Sequence, residues 1–130
     1  MSKLESAQTQ GIEVSVEGFF LKEQSDVAKD QYVFAYRVRL KNHSDRTVQL
    51  ISRHWIITDS NGTVRQVKGE GVVGQQPILA PGEDHQYVSG SQLESPMGTM
   101  HGTYQMRDEA GGMFDVEIPV FTLSAGDYLN

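Results

Sequence analysis

Three glycines with the spacing G-x-G-x-x-G form the pattern in this chain that most resembles a ligand-binding motif. They are Gly69, Gly71 and Gly74, and Lys68 precedes them. In a dinucleotide-binding fold the motif follows a strand and opens a helix, whose N-terminus holds the pyrophosphate. Here the sequence continues Gln-Gln-Pro, followed by a short apolar run that predicts a strand and no helix. The dinucleotide-binding fold is therefore excluded.

A smaller anion site remains compatible with Lys68, Gly69, Gly71 and Gly74. Successive glycine amides can form a concave nest for pyrophosphate or a nucleotide phosphate, and the lysine would add positive charge. Glu70, inside the same loop, opposes an anion. In the alternative interpretation the glycines have a structural role and bind no ligand, because glycine permits positive φ and close approach of strands. The sequence leaves both interpretations open.

Glu83, Asp84 and His85 are the candidate metal ligands, since they form a compact cluster after the predicted Pro81-Gly82 turn. Carboxylates bind hard divalent cations. The four histidines of the chain, however, lack a ligand spacing such as H-x-x-x-H. The alternative is an ordinary solvated turn.

Catalytic chemistry has little support in the sequence. The chain contains no cysteine, which excludes thiolate nucleophiles, disulfides and cysteine-based zinc sites. It also lacks a G-x-S-x-G nucleophile elbow. We predict no enzyme activity and no cofactor.

Segments of alternating apolar and polar residues dominate the chain, with turn signals between them and no amphipathic helix. The predicted strands are 11–17, 31–42, 47–59, 63–68, 78–79, 86–89, 99–107 and 113–122. This pattern predicts an all-β fold, a β-sandwich of about seven to eight antiparallel strands.

Three local features refine this prediction. The alternation slips between Leu50 and Trp55, so we expect a β-bulge near Ser52-Arg53. Asn61-Gly62 is a strong hairpin-turn signal. Strands 99–107 and 113–122 separate into one apolar and one polar face if Gln105 pairs with Asp115.

Length and charge bound the class of protein. The 130 residues fit one domain, predicted as 11–123, with flexible tails at 1–10 and 124–130. The net charge of −6 disfavours nucleic-acid binding. No apolar run reaches the ~20 residues that span a bilayer, so we expect no membrane insertion. No signal peptide is visible, and we expect a cytoplasmic protein.

Arg37, Arg39 and Lys41 alternate along one predicted strand and would share one of its faces. They could form a local basic patch. The alternative is a solvated sheet face.

Three runs of residues together resemble a known family. They are G-E-G-V-V-G-Q-Q-P-I-L-A-P-G-E-D-H-Q-Y-V-S-G (69–90), S-P-M-G-T-M-H-G-T-Y-Q-M (95–106) and F-D-V-E-I-P-V-F-T-L (114–123). In these runs the chain is similar to bacterial ApaG proteins, and the resemblance extends from about residue 12 to residue 123. It implies an immunoglobulin or fibronectin-type-III-like sandwich, and a link to cobalt and magnesium efflux. It implies no catalytic residues.

ApaG-like domains also occur fused in eukaryotic F-box and polymerase-interacting proteins, where they look like interaction modules. We therefore expect a non-catalytic binding module that recognises an unknown protein partner. The alternatives are direct binding of divalent cations, and pyrophosphate or nucleotide binding at the Gly69–Gly74 loop. A homodimer through an exposed strand edge is a further alternative, since sandwiches leave edges unpaired.

Overall fold

The alternating segments form nine β-strands in a computed structural model that describes residues 3–126. The strands are β1 (Glu5–Thr9), β2 (Ile12–Phe20), β3 (Tyr32–Asn42), β4 (Val48–Asp59), β5 (Val64–Glu70), β6 (Ile78–Leu79), β7 (Asp84–Leu93), β8 (Met97–Asp108) and β9 (Met113–Ser124). Two short 3-10 helices, Lys22–Gln24 and Val27–Lys29, connect β2 to β3. None of the helices within residues 3–126 is long and apolar enough to cross a membrane.

The strands build two antiparallel sheets. The first sheet has the order β1-β2-β3-β7, and the second has the order β5-β4-β8-β9, with the short strand β6 paired to β4. One continuous core of buried side chains from both sheets lies between them. The predicted β-sandwich is therefore confirmed.

Aromatic rings join the two sheets at the centre of the core. The ring of Tyr36 from β3 lies 5.3 Å, centroid to centroid, from that of Trp55 on β4. Phe121 of β9 lies 6.0 Å from each of them. Such aromatic contacts add to the free energy gained by burying apolar area.

The local predictions are largely confirmed. Gln105 pairs with Asp115, which fixes the predicted register of β8 and β9. Asn61 and Gly62 lie in the β4–β5 turn, where the Gly62 N–H donates to the Asp59 carbonyl at 2.9 Å. The bulge of β4 lies between Leu50 and Ser52, just before the predicted position.

Two boundaries differ from the prediction. Residues 1–10 were predicted as a flexible tail, but Glu5–Thr9 forms β1 and pairs with β2. The sequence of this strand, E-S-A-Q-T, has no apolar alternation that would predict it, whereas its backbone pairs with β2 along its whole length. The strand predicted at 86–89 extends over Asp84–Leu93. The ends of both predicted tails, 1–2 and 127–130, lie outside the described residues.

Candidate functional site

The glycine motif divides between a strand and a turn. Lys68 and Gly69 belong to β5, and Gly69 pairs with Arg53 of β4. Gly71 has a φ of +64°, and its N–H donates to the Ile51 carbonyl at 2.9 Å. Its amide is therefore already used inside the fold.

Two carbonyl oxygens of the motif accept hydrogen bonds from a positively charged side chain of the same protein, Arg53. Nη1 of Arg53 donates to the carbonyls of Glu70 and Gly71, both at 2.9 Å. Lys68 and Gly69 are consecutive in a strand, so their Cα substituents point to opposite faces. Lys68 and Gly69 line one shallow groove, which Glu70 and Asp115 also border, whereas Gly74 lines a different cleft. The structure therefore does not bring Lys68, Gly69, Gly71 and Gly74 together as an anion nest.

The candidate metal ligands also separate. Oε1 of Glu83 accepts from the Ala80 N–H at 2.7 Å and closes a turn. Oδ2 of Asp84 accepts from Nε of Arg39 at 3.1 Å, and this bond lowers the pKa of Asp84. His85 faces the other side of β7, with its ring 6.4 Å from that of Tyr87.

Within residues 3–126, no three or more histidine and carboxylate side chains are grouped so that they could hold a metal ion. Of the predicted turn residues, Glu83 lies before β7, whereas Asp84 and His85 are the first two residues of that strand.

The predicted basic face of β3 is paired with acids. Nη2 of Arg37 lies 2.8 Å from Oε1 of Glu17, and Arg39 pairs with Asp84. This arrangement fits the interpretation as a solvated sheet face.

The sandwich opens on one side, between β5 and β7, which each end the order of their sheet. A cleft of about 360 Å³ lies there, and we call it the side cleft. Its lining residues are Tyr36, Arg53, Trp55, Ile57, Arg65, Val67, Ser89, Gly90, Ser91, Gln92 and Met100. Volumes of this size are typical of small-ligand sites.

The bulge in β4 creates the floor of the side cleft. Before the bulge, Val48 and Leu50 face the core; after it, Trp55 and Ile57 do. Without the extra residue, the alternation would turn Trp55 to solvent. Arg53 shares the phase of Trp55, which brings its guanidinium to the edge of the core.

Two residues that line the side cleft each have a buried polar atom without a hydrogen-bond partner among residues 3–126. They are Trp55, which is only 2% exposed and has its Nε1 unpartnered, and Ser91, whose Oγ is unpartnered. Buried polar atoms without partners are rare and call for an explanation. Of residues 3–126, no aspartate or glutamate lines the side cleft, whereas Arg53 and Arg65 do.

Three tyrosines, Tyr36, Tyr87 and Tyr104, are buried in the core. The hydroxyls of Tyr87 and Tyr104 share a hydrogen bond, and Tyr36 lines the side cleft directly. Burial raises the pKa of Tyr36, Tyr87 and Tyr104 above the ordinary value of tyrosine, so all three stay neutral at pH 7.

A tight turn stands beside the side cleft. Val72 and Gln75 exchange two backbone hydrogen bonds, at 2.8 and 3.0 Å, around Val73 and Gly74. These central residues have φ of +47° and +76°, the sign that a type I′ turn requires at both positions. Val73 is 64% exposed, and a β-branched residue at positive φ is a conformational outlier. A second cleft of about 280 Å³ connects this turn to Tyr36 and Arg53.

Sequence reasoning missed Arg53, Trp55 and Ser91 as site residues. The slip in the β4 alternation was the available signal, because it indicated that the side chains from Arg53 onward face the opposite side of the sheet from the one that the earlier alternation predicts. The sequence holds no corresponding signal for Ser91, whose environment depends on β5 from the opposite sheet.

Comparison with known proteins gives consistent matches. The family model of the ApaG domain matches residues 22–108. The chain is 52% identical over 120 residues to Protein ApaG of Paramagnetospirillum magneticum, which covers 92% of each chain. It is 53% identical over 118 residues to Protein ApaG of Brucella canis, covering 91% of each. The crystal structure of an ApaA protein from Bordetella pertussis superposes with a TM-score of 0.85 at 50% identity, over 93% of this chain and 95% of that one.

Proposed function

Since this chain belongs to the ApaG domain family, we propose that it is a non-catalytic module that binds a protein partner. The partner would contact the open side of the sandwich, at the Val72–Gln75 turn and the mouth of the side cleft. As the family resemblance implies, the setting would be the cytoplasm.

The observation that carries the proposal is the state of Val73. Val73 lowers the stability of the fold in two ways: its apolar side chain faces water, and its backbone adopts a conformation that valine disfavours. Such outliers cluster at functional sites, where the surrounding structure holds them in place. An exposed apolar tip on a rigid turn is suited to insertion into a partner's pocket.

The surroundings of the turn support the same surface. Val67, at the rim of the side cleft, is also exposed, and both bordering strands end their sheets. Free strand edges are common docking sites for extended segments. They are also sites of self-association, so a second copy of this chain is an alternative partner.

No observation favours the other two candidate functions. Glu83 and Asp84 already accept hydrogen bonds from Ala80 and Arg39, which argues against direct cation binding. The engagement of the Gly71 amide argues against a phosphate at the Gly69–Gly74 loop. On this proposal, any effect on cobalt or magnesium efflux passes through the partner.

The test is quantitative affinity capture from the cells that make the protein, with wild type, Val73→Asn and Val120→Asn as baits. Val120 on β9 is the matched control, because it is 58% exposed but lies on the other side of the fold. Asparagine tolerates positive φ, so Val73→Asn should raise the free energy of unfolding by about 1 kcal/mol.

We expect wild type and Val120→Asn to capture the same specific partner in equal amounts, and Val73→Asn to capture at least tenfold less of it. The melting temperature of Val73→Asn should be no lower than that of wild type. Size-exclusion chromatography identifies the case in which the captured partner is the chain itself. Equal capture by Val73→Asn, or no protein above background for wild type, would overturn the proposal.

A further inference from the structure

We propose that the side cleft is a carboxylate-binding site, which takes an aspartate or glutamate side chain from the partner's segment. The inference rests on the proposed function, which supplies the segment. It assigns chemistry to the residues between β5 and β7 rather than to the Val72–Gln75 turn.

Hydrogen-bond donors in the cleft point to an acceptor-rich ligand. The indole N–H of Trp55 can only donate, and no residue of the described part of the chain accepts from it. The hydroxyl of Ser91, also unpartnered, can donate to the same ligand. A carboxylate offers two oxygens with about four acceptor sites and would satisfy both groups at once.

The charges of the lining select an anion. Arg53 and Arg65 line the side cleft, and within residues 3–126 no carboxylate does. The whole chain has a net charge of −6, so the charge of the cleft lining is opposite in sign to that of the molecule. Low-dielectric walls strengthen the attraction between an entering anion and these guanidinium groups.

Shape and polarity favour a carboxylate on an apolar stem over phosphate. Tyr36, Trp55, Ile57 and Met100 supply aromatic and aliphatic surface, against which methylene groups can pack. An inorganic phosphate has no apolar part that would use this surface.

Arg65 spans the mouth of the cleft. Its Nη2 donates to the carbonyl of Gln92, which links β5 to β7 above the floor. A carboxylate would replace this neutral acceptor with a charged one, and charge-assisted bonds of that kind are roughly twice as strong. Exchange of partners by Arg65 would therefore open the path to the covered Nε1 of Trp55 and Oγ of Ser91.

The only tryptophan of the chain makes the test direct. The indole N–H of Trp55 gives one side-chain NMR signal, to be followed while capped glutamate, capped glutamine or inorganic phosphate is titrated. We expect a saturable downfield shift with capped glutamate, at least tenfold weaker binding of the isosteric capped glutamine, and weaker binding of phosphate.

Variants locate the interaction. Arg65→Gln and Ser91→Ala should each weaken capped-glutamate binding at least threefold. Arg107→Gln should leave it unchanged, because Arg107 is exposed on β8 and bonds Oε1 of Gln49 away from the cleft. Both arginine variants keep Trp55 as the reporter.

Three outcomes would overturn the inference: no shift at the highest soluble concentration of capped glutamate, equal binding of glutamate and glutamine, or tighter binding of phosphate. These outcomes differ from a failure of the proposed function. If the partner is captured but glutamate does not bind, only the present inference falls; if no partner is captured, the titration still stands as a property of the cleft.

Discussion

The guanidinium of Arg53 lies against the backbone of Gly69. A Cβ on residue 69 would stand 2.9 Å from Cζ, Nη1 and Nη2 of that arginine. The first glycine of the G-x-G-x-x-G motif therefore makes room for a side chain of the same protein, and this contact holds Arg53 where it can bond the Glu70 and Gly71 carbonyls.

Gly69→Ala should displace the Arg53 guanidinium and break those two bonds. We expect a loss of about 1–3 kcal/mol in the free energy of unfolding, measured by urea denaturation. Gly90→Ala is the control, because a Cβ there meets its nearest atom at 3.4 Å. In an Arg53→Ala background, Gly69→Ala should cost much less; an undiminished cost would show that Arg53 is not the cause.

Gly71→Val should damage folding more than any ligand interaction. A Cβ at Gly71 would stand 2.3 Å from the Gln75 carbonyl oxygen, in addition to the strain of positive φ. Strain alone costs on the order of 1–3 kcal/mol, so the melting temperature should fall markedly. Gly74→Val has a similar φ with open space around it, and should fall less. An unchanged melting temperature for Gly71→Val, with partner binding lost, would favour a functional role instead.

Asn42→Asp should be strongly destabilising although it changes a single atom. The side chain is fully buried, and its Nδ2 donates to the carbonyls of Arg46 and Leu79 at 2.6 and 2.9 Å. A carboxylate would face both carbonyls without a proton, so we expect a loss of roughly 2–4 kcal/mol at pH 7.

Asn61→Asp is the matched control for Asn42→Asp. Asn61 is exposed, and its Oδ1 accepts from the Thr63 N–H at 2.9 Å, a role that aspartate retains. Asn61→Asp should change the free energy of unfolding by no more than about 0.5 kcal/mol. Equal effects of the two substitutions would contradict the importance of the Asn42 donors.

The buried tyrosines predict a loss of stability at alkaline pH. Because burial raises the pKa of Tyr36, Tyr87 and Tyr104, their stabilising contribution is complete below pH ~10, the pKa of unfolded tyrosine, and is lost as the pH rises toward the folded values. The slope above pH ~10 approaches 1.4 kcal/mol per pH unit for each tyrosine.

Urea denaturation from pH 8 to 12, with phenolate absorbance followed in parallel, measures this slope. Tyr36→Phe removes one titrating group and should reduce it. Ionisation of all tyrosines with the fold intact would contradict the prediction.

Much of the fold was predictable because apolar and polar residues alternate along most of its strands. The period of two identifies β3 from Tyr32 to Asn42, and the pairing of Gln105 with Asp115 follows from matching polar faces. β1 escaped prediction because backbone hydrogen bonds carry no side-chain signature. The same limit applies to the contact of Arg53 with Gly69, which depends on the single inserted residue in β4.

The candidate site was less predictable than the fold. Its residues come from both sheets, and Ser91 lines the same cleft as Trp55 because β7 pairs with β3 in the opposite sheet. The glycine motif lies next to the candidate site, but the residues that line the side cleft belong mainly to the neighbouring strands.

The pairing of β3 with β7 also joins parts of the chain that are far apart in sequence. Tyr32 pairs with Leu93 and Lys41 with Asp84, while β4, β5 and β6 lie between them in sequence and in the other sheet. The hairpins β4–β5 and β8–β9 close short loops, whereas each sheet is completed by a pairing of distant strands, β3 with β7 and β4 with β8. Because both sheets need such distant pairings, we expect refolding in milliseconds to seconds. Stopped-flow kinetics would measure this rate, and refolding in microseconds would contradict it. Until β7 docks on β3, the side of the molecule that holds Trp55 stands open to solvent.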